Sequence, residues 1–176
     1  MMSNRILSRI KKGGIMPDFD LINTRGETVA PDKYLRKNNL VVFFFNRLDD
    51  NGCKKYLAML NDIYKELQQE DTEIIAVAAE DLQALREFAQ DKKIKFDLLA
   101  DPQKEVLNKF TYKDNEVNNI GVLFIFDKYS TLYRCYFHRA WPFGELPDKN
   151  ELISAIEFLD KQCPECGVST WPEYSQ

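Results

Sequence analysis

The chain alternates between strand-like and helix-like patterns of apolar residues. Apolar runs rich in β-branched or aromatic residues occur at 40–45 (LVVFFF) and, after an initial glutamate, at 73–79 (EIIAVAA), and such runs are typical of strands buried on both faces. Residues 53–69 and 81–90 instead repeat their apolar positions every three or four residues, which predicts amphipathic helices. Strands that alternate with helices predict crossover units and a largely parallel sheet.

Shorter elements are predicted on both sides of this middle section. Turn-forming residues at 23–26 separate two short extended pieces, which predicts an N-terminal β-hairpin. Further along, the pattern predicts a strand at 96–99, a short helix at 102–110 with proline near its start, two strands joined by a turn at 127–130, and a last helix at 147–159. The fold class is therefore α/β, with a central mixed β-sheet flanked by helices.

The length of 176 residues suits a single domain. We predict an N-terminal tail at 1–15, a domain over 16–162 and a C-terminal tail at 163–176, where apolar periodicity gives way to turn formers. The net charge of −4 argues against a general nucleic-acid binder. No apolar run approaches the roughly 20 residues that span a bilayer, and the basic N-terminus lacks the apolar core of an export signal. These features predict a cytoplasmic protein that binds neither nucleic acid nor membrane.

Cys53 is the strongest candidate for a reactive side chain. The loop at 46–52 leaves a buried strand and brings Cys53 to the start of a helix. Ligands of open α/β sheets bind beyond the carboxyl ends of the strands. A helix N-terminus offers free N–H groups and the positive end of the dipole, which favour a thiolate. The alternative from position alone is a cysteine that serves as a small buried hydrophobic residue.

Five motifs in the expected order resemble the peroxiredoxins, within the alkyl hydroperoxide reductase and thiol-specific antioxidant group that includes the bacterioferritin comigratory proteins. They are 16–21 (MPDFDL) followed by Gly26, 41–45 followed by Cys53, 74–77 (IIAV), 98–102 (LLADP) and 124–127 (FIFD). The resemblance covers about residues 16–160 and implies a thioredoxin-like fold. It also implies that Cys53 is the peroxidatic thiol, which attacks a hydroperoxide and becomes a sulfenic acid.

The same resemblance implies the partners. An external thiol donor, such as a thioredoxin-like protein, would reduce the oxidised enzyme, and no metal or organic cofactor is implied. In family members that use a C-terminal resolving cysteine, that residue often comes from the second subunit of a homodimer. Cys163 and Cys166, which form a Cys-Pro-x-Cys-Gly sequence in the tail, are the candidates for this role.

The active-site loop departs from the family pattern at three positions. Asn46 stands at the family proline, Asp50 at the family threonine or serine, and Gly121 at a family arginine. An ionised Asp50 accepts hydrogen bonds but donates none, and its charge is expected to raise the pKa of Cys53. The candidates to replace the missing arginine are Arg47, Arg134 and Arg139. These losses support a second hypothesis, a non-catalytic redoxin-fold protein that acts as a binding or interaction module.

The tail cysteines also leave alternatives open. Cys163 and Cys166 form a redox pair, hold part of a metal site, or are inert. Such a pair supplies two of the four ligands of a tetrahedral site, and Cys135 with His138 could supply the rest. However, an odd separation along a strand points side chains to opposite faces, so that set would need a bulge or a second chain.

Overall fold

A computed structural model of the chain describes residues 8–112, 121–138 and 146–161. Within these ranges, strands and helices alternate as the sequence predicts, with a 3₁₀ turn at Pro31–Lys33. The strands are β1 (Leu21–Ile22), β2 (Thr28–Val29), β3 (Asn39–Phe45), β4 (Thr72–Ala78), β5 (Asp97–Ala100), β6 (Gly121–Phe126) and β7 (Leu132–His138). The helices are α1 (Asn51–Gln69), α2 (Leu82–Lys92), α3 (Leu107–Phe110) and α4 (Lys149–Asp160).

Five strands form the central sheet in the order β5-β4-β3-β6-β7. Strands β3, β4 and β5 are parallel, whereas β6 runs antiparallel to β3 and β7 antiparallel to β6. Strands β1 and β2 form a separate antiparallel hairpin. The predicted mixed sheet and N-terminal hairpin are therefore confirmed.

Both faces of the sheet are covered, which explains why β3 is apolar from Leu40 to Phe45 and buried at every residue. Alternate residues of β3 enter two separate cores. One core, formed with α1, α2 and α4, contains Val41, Phe43 and Phe45. The other, formed with α3 and the N-terminal segment, contains Leu40, Val42 and Phe44. The apolar stripe of α1 packs into the first of these cores, so the first turn of α1 is anchored against the sheet.

The observed helix boundaries differ from the predicted ones. Helix α1 begins at Asn51 rather than at 53, and α2 spans Leu82–Lys92 rather than 81–90. The helix expected at 102–110 occupies only Leu107–Phe110. The carboxylate of Asp101 accepts hydrogen bonds from the backbone N–H groups of Glu105, Val106 and Leu107 at 2.9, 3.0 and 3.0 Å, and these bonds hold the preceding residues in turns. The last helix begins at Lys149 rather than at 147, because Asp148 caps its N-terminus.

The N-terminal segment lies against the domain from residue 8 onward. Ile10 is buried, the Arg9 N–H donates to the carbonyl of Phe110 at 2.9 Å, and the Gly13 N–H donates to that of Leu132 at 2.9 Å. Residues 8–15, assigned above to an N-terminal tail, thus bridge α3 and β7. The C-terminal tail at 163–176 lies outside the described residues. Within those residues, no helix is long and apolar enough to cross a membrane.

Candidate active site

Cys53 lies in the first turn of α1, just beyond the carboxyl end of the central strand β3. Its side chain is 3% exposed and belongs to the core between the sheet and helices α1, α2 and α4. Tyr56, one turn further along α1, packs its ring against Phe43 with centroids 4.9 Å apart and donates its hydroxyl to the carbonyl of Pro147 at 2.9 Å. The first turn of α1 is thus held against the sheet and the start of α4.

Asp50 is the N-cap of α1. Its Oδ1 accepts hydrogen bonds from the N–H groups of Gly52 at 2.7 Å and Cys53 at 3.3 Å. A capping aspartate contributes about 1 kcal/mol to helix stability relative to alanine. It also places a negative charge among the donors that would otherwise stabilise an anion at this helix start.

The pKa of Cys53 is raised to about 12. Burial of the thiol is the largest cause, followed by the negative charges of Asp50 and then Asp49. The helix start does favour a thiolate, since the backbone N–H of Cys53 lowers the pKa, but burial and the two carboxylates outweigh that effect. The charge of Asp50 raises the pKa of Cys53, as expected.

Glu80 ties the Cys53 loop to the neighbouring strand. The Leu48 N–H donates to Oε1 of Glu80 at 3.1 Å, and the Ala79 N–H donates to the carbonyl of Phe45 at 3.2 Å. Because β3 and β4 are parallel, their carboxyl ends lie side by side and bring these residues together. Glu80 belongs to no sequence motif identified above. Its only signal is an acidic residue just after a strand that neighbours β3.

Two of the candidate arginines have partners of their own. Arg47 pairs with Asp49 at 3.3 Å, with both side chains about two-thirds exposed. Arg134 lies over the ring of Tyr133, 5.2 Å from its centroid. Arg139, the third candidate, lies outside the described residues.

Gly121, at the family arginine position, pairs with Phe45 at the end of β3 that leads to Cys53. A longer side chain at Gly121 would therefore lie at the edge of the sheet that carries the loop. The departure from the family pattern at Gly121 therefore lies at the same end of the sheet as Cys53.

Cys135 lies on the other side of the sheet from Cys53. It is paired with Phe124, whose ring belongs to the second core, and it packs against that core. Burial raises the pKa of the Cys135 thiol. The sheet thus separates these two free cysteines. Cys163 and Cys166 lie outside the described residues, so their roles stay predictions.

The described residues do not support the alternative in which Cys135 and His138 complete a metal site with the tail cysteines. Cys135 pairs with Phe124 and His138 with Gly121, so the two residues occupy alternate register positions of β7, as their odd separation predicts. Within residues 8–112, 121–138 and 146–161, no group of three or more histidine, cysteine and acidic residues could hold a metal ion.

The architecture defines a class of protein, the thioredoxin-like α/β proteins that carry a cysteine in the first helical turn after the central strand. The sequence profile of the AhpC/TSA family matches residues 13–134. The chain belongs to this family, as the motif resemblance implies.

Known relatives and structures agree with that assignment. The chloroplastic peroxiredoxin Q of Sedum lineare is 21% identical over 159 residues, which cover 89% of this chain and 85% of the relative. The crystal structure of peroxidoxin BcpB from Mycobacterium tuberculosis superposes with a TM-score of 0.71 at 19% identity, over 86% of this chain and 97% of that one. Peroxiredoxin Q from Xanthomonas campestris gives a TM-score of 0.72 at 13% identity, over 88% and 99%. These structural similarities confirm the thioredoxin-like fold.

Proposed function

We propose that this chain is a peroxiredoxin-type thiol peroxidase that reduces hydroperoxides through Cys53. The observation that carries the proposal is the position of Cys53, in the first turn of α1 beyond the carboxyl end of β3, in a chain of the AhpC/TSA family. Its relatives include proteins named peroxiredoxin Q. Open α/β sheets bind and react with ligands at this edge.

The proposed first step oxidises Cys53 and reduces the peroxide. The Cys53 sulfur attacks the terminal oxygen of R–O–O–H, and the O–O bond breaks. A Cys53 sulfenic acid forms, and the RO⁻ leaving group takes up the proton released by the thiol and departs as the alcohol. No metal or organic cofactor takes part.

The buried position of Cys53 sets a requirement for this step. Because its pKa is raised to about 12, the Cys53 thiol is neutral at pH 7 in this conformation. Because burial is the largest cause of the raised pKa, opening the 46–50 loop to water would lower it toward the ordinary cysteine value of about 8.5. The loop must therefore open for rapid reaction, and the Leu48–Glu80 hydrogen bond is one contact that opposes opening.

The proposed second step uses the C-terminal tail. The thiol of Cys163 or Cys166 attacks the Cys53 sulfenic acid, forms a disulfide and releases water. A dithiol donor such as a thioredoxin-like protein then reduces that disulfide and is itself oxidised. We propose that the resolving thiol comes from the second chain of a homodimer. A reducing compartment such as the cytoplasm would supply the donor.

Peroxide titration with trapping of the sulfenic acid tests the first step. We expect dimedone and limiting hydrogen peroxide to add one dimedone to Cys53, found by peptide mass spectrometry, before any label reaches Cys135. The variant Cys53→Ser should lose both the adduct and peroxide consumption, while the matched control Cys135→Ser should keep both. Equal labelling of Cys53 and Cys135 would contradict the proposal.

Non-reducing electrophoresis tests the second step. Peroxide should generate a dimer band, and Cys53→Ser should abolish it. Whichever of Cys163→Ser and Cys166→Ser removes the resolving thiol should abolish it as well. Stoichiometric zinc or iron, with tail thiols protected from alkylation until a chelator is added, would instead establish a metal site at Cys163 and Cys166.

The alternative, a non-catalytic redoxin-fold binding protein, draws support from the same site. Cys53 is buried and protonated, and the two carboxylates Asp50 and Asp49 oppose its ionisation. This alternative predicts that stoichiometric peroxide leaves Cys53 unlabelled in the folded protein. It also predicts that the wild type and Cys53→Ser both consume peroxide no faster than buffer alone.

A further inference from the structure

A polar cavity of about 250 Å³ lies at the edge of the sheet opposite Cys53. Its walls include Asp97, the first residue of β5, and Glu73, the second residue of β4. Strands β3, β4 and β5 are parallel, so their amino ends lie at this edge and Cys53 lies beyond the other. Because the strands span roughly 20 Å, the cavity is separate from the proposed peroxidase site.

The carboxylate of Asp97 is fully engaged by neighbouring donors. Asn23 Nδ2 donates to its Oδ1 at 2.9 Å, and Arg25 also donates to Oδ1. The Tyr34 hydroxyl donates to Oδ2 at 2.9 Å, and Lys33 Nζ lies 3.4 Å from the same oxygen. Asp97 therefore has little accepting capacity left for a cation or donor that enters the cavity.

The second acid is occupied in the same way. Glu73 accepts hydrogen bonds from the Tyr64 hydroxyl at 2.5 Å and from Gln68 Nε2 at 3.3 Å, one on each oxygen. The two carboxylates of the cavity thus already bind donors of the protein itself.

The three cations that line the cavity keep donors to spare. They are Arg25, Lys33 and Lys95, and the lining also contains the two acids Asp97 and Glu73. Arg25 donates to Asp97 and, at 3.1 Å, to Glu27, so the spare donors are mainly those of the two lysines. Lys33 forms a long contact to Asp97, and Lys95 Nζ lies 3.5 Å from the carbonyl of Asn61, whereas each ammonium group has three N–H donors. The side chains of Arg25 and Lys33 are about half exposed, at 53% and 51%, so a solute can reach them.

We propose that this cavity binds a small organic anion through a phosphate or carboxylate group held by Arg25, Lys33 and Lys95. Charge-assisted hydrogen bonds from guanidinium and ammonium groups to oxyanions are stronger than hydrogen bonds between neutral groups. Tyr34 and Tyr64, both largely buried, also line the cavity. The volume lies just below the roughly 300–1,000 Å³ of pockets for drug-sized ligands, so the ligand is small.

Binding would connect parts of the chain that are distant in sequence. Arg25 lies in the turn between β1 and β2, Lys33 in the 3₁₀ turn, and Lys95 between α2 and β5. An anion held by all three stabilises the folded state by mass action.

The test titrates the reduced full-length chain with inorganic phosphate in one arm and citrate in the other, at constant ionic strength with chloride as the reference salt. The readouts are ¹H–¹⁵N chemical shifts of the backbone amides of Arg25, Lys33 and Lys95, and the thermal midpoint. We expect saturable shifts at these amides and a higher midpoint with at least one anion. Saturation by phosphate alone assigns a phosphate ligand, and saturation by citrate alone assigns a carboxylate ligand.

Variants decide whether the cavity is responsible. Lys95→Ala removes a cation that does not contact Asp97, and it should weaken binding about tenfold, the effect of one charge-assisted hydrogen bond. The matched control Lys92→Ala removes an exposed lysine of α2 outside this cavity and should leave binding unchanged. No saturable shift with either anion, or equal weakening in both variants, would overturn the proposal. Cys53→Ser should bind the anion as the wild type does, so this test is independent of peroxidase activity.

Discussion

The two edges of the parallel part of the sheet each hold a buried acidic group, and their neighbours move the pKa in opposite directions. At the amino edge, burial alone would raise the pKa of Asp97, but hydrogen bonds from Tyr34 and Asn23 and the charges of Lys33 and Arg25 outweigh it, and the pKa lies below its ordinary value. At the carboxyl edge, burial raises the pKa of Cys53, and Asp50 and Asp49 raise it further. Burial thus acts to raise both pKa values, but the partners of Asp97 reverse the sign of its shift, whereas those of Cys53 add to it.

This comparison separates two uses of a buried ionisable group. Asp97 is held as an anion within a network that joins the N-terminal hairpin to β5, which is a structural role. Cys53 is held as a neutral thiol until its surroundings change. A mutation at the amino edge should therefore affect mainly stability, whereas a mutation at the carboxyl edge should affect mainly reactivity.

Removing Asp97 should have the largest effect on stability. Asp97→Ala leaves the buried Tyr34 hydroxyl without its acceptor and leaves the Asn23 amide with Glu27 alone. We expect a loss of about 2 kcal/mol in the free energy of unfolding, measured by urea denaturation at pH 7. Asp97→Asn retains one acceptor oxygen and should lose less. A loss below about 0.5 kcal/mol in Asp97→Ala would mean that the network contributes little.

The same position predicts a pH dependence. Because the pKa of Asp97 is lowered in the folded state, its ionisation contributes stability above the unfolded carboxyl pKa of about 3.9, and the contribution disappears as the pH falls through the lower folded value. The stability difference between wild type and Asp97→Asn should therefore shrink in acid. A difference that is constant from pH 7 to pH 2 would contradict this.

Neutralising Asp50 should increase the reactivity of Cys53. Asp50→Asn and Asp50→Thr keep a capping oxygen and remove the charge, so the pKa of Cys53 should fall. We expect about a tenfold faster alkylation by iodoacetamide at pH 8, the effect of one pKa unit. The pKa should stay above the free-cysteine value, because burial is the largest cause of the shift. An unchanged pH–rate profile would show that Asp50 does not act on the thiol.

Loosening the loop at Glu80 should have a smaller effect. Glu80→Ala removes the acceptor of the Leu48 N–H, and we expect a loss of about 1 kcal/mol in stability and a several-fold rise in Cys53 alkylation. Glu80→Gln keeps an acceptor oxygen and serves as the matched control. Equal alkylation rates in Glu80→Ala and Glu80→Gln would show that the tether does not control access to Cys53.

Cys135→Ala should have the smallest effect on the carboxyl edge. Cys135 lies on the opposite face of the sheet, so the yield of the Cys53 dimedone adduct should not change. A clear fall in that yield, in a variant that unfolds at the wild-type urea concentration, would show that the two thiols communicate through the sheet.

The sequence pattern predicts the sheet and the three long helices because their buried apolar residues recur at fixed spacings along the chain. The apolar runs at 40–45 and 73–79 correspond to β3 and β4, and the stripe that begins near Cys53 corresponds to α1. The helix predicted at 102–110 is too long because the Asp101 carboxylate accepts hydrogen bonds from amides that would donate to backbone carbonyls in a longer helix.

The details of both edges could not be predicted in the same way. The Asp97 network joins residues more than 60 positions apart, and no local period encodes such contacts. The tether between Leu48 and Glu80 likewise depends on β3 and β4 being neighbours. The position of Cys53 followed from the pattern, but its pKa depends on how deeply the first turn of α1 is packed.

The pairing of β3 with β6 has a consequence for the chain during its synthesis. Phe45 of β3 pairs with Gly121, so 121 − 45 = 76 residues separate the strands. At about 5–20 residues per second, one side of β3 stays unpaired for roughly 4–15 s after it leaves the ribosome. During that interval Cys53 also lacks Leu123 and the α4 residues that complete its core. A nascent chain therefore exposes the Cys53 thiol and an unpaired, apolar strand edge at the same time. Chaperones that bind extended apolar segments would protect both until β6 has been made.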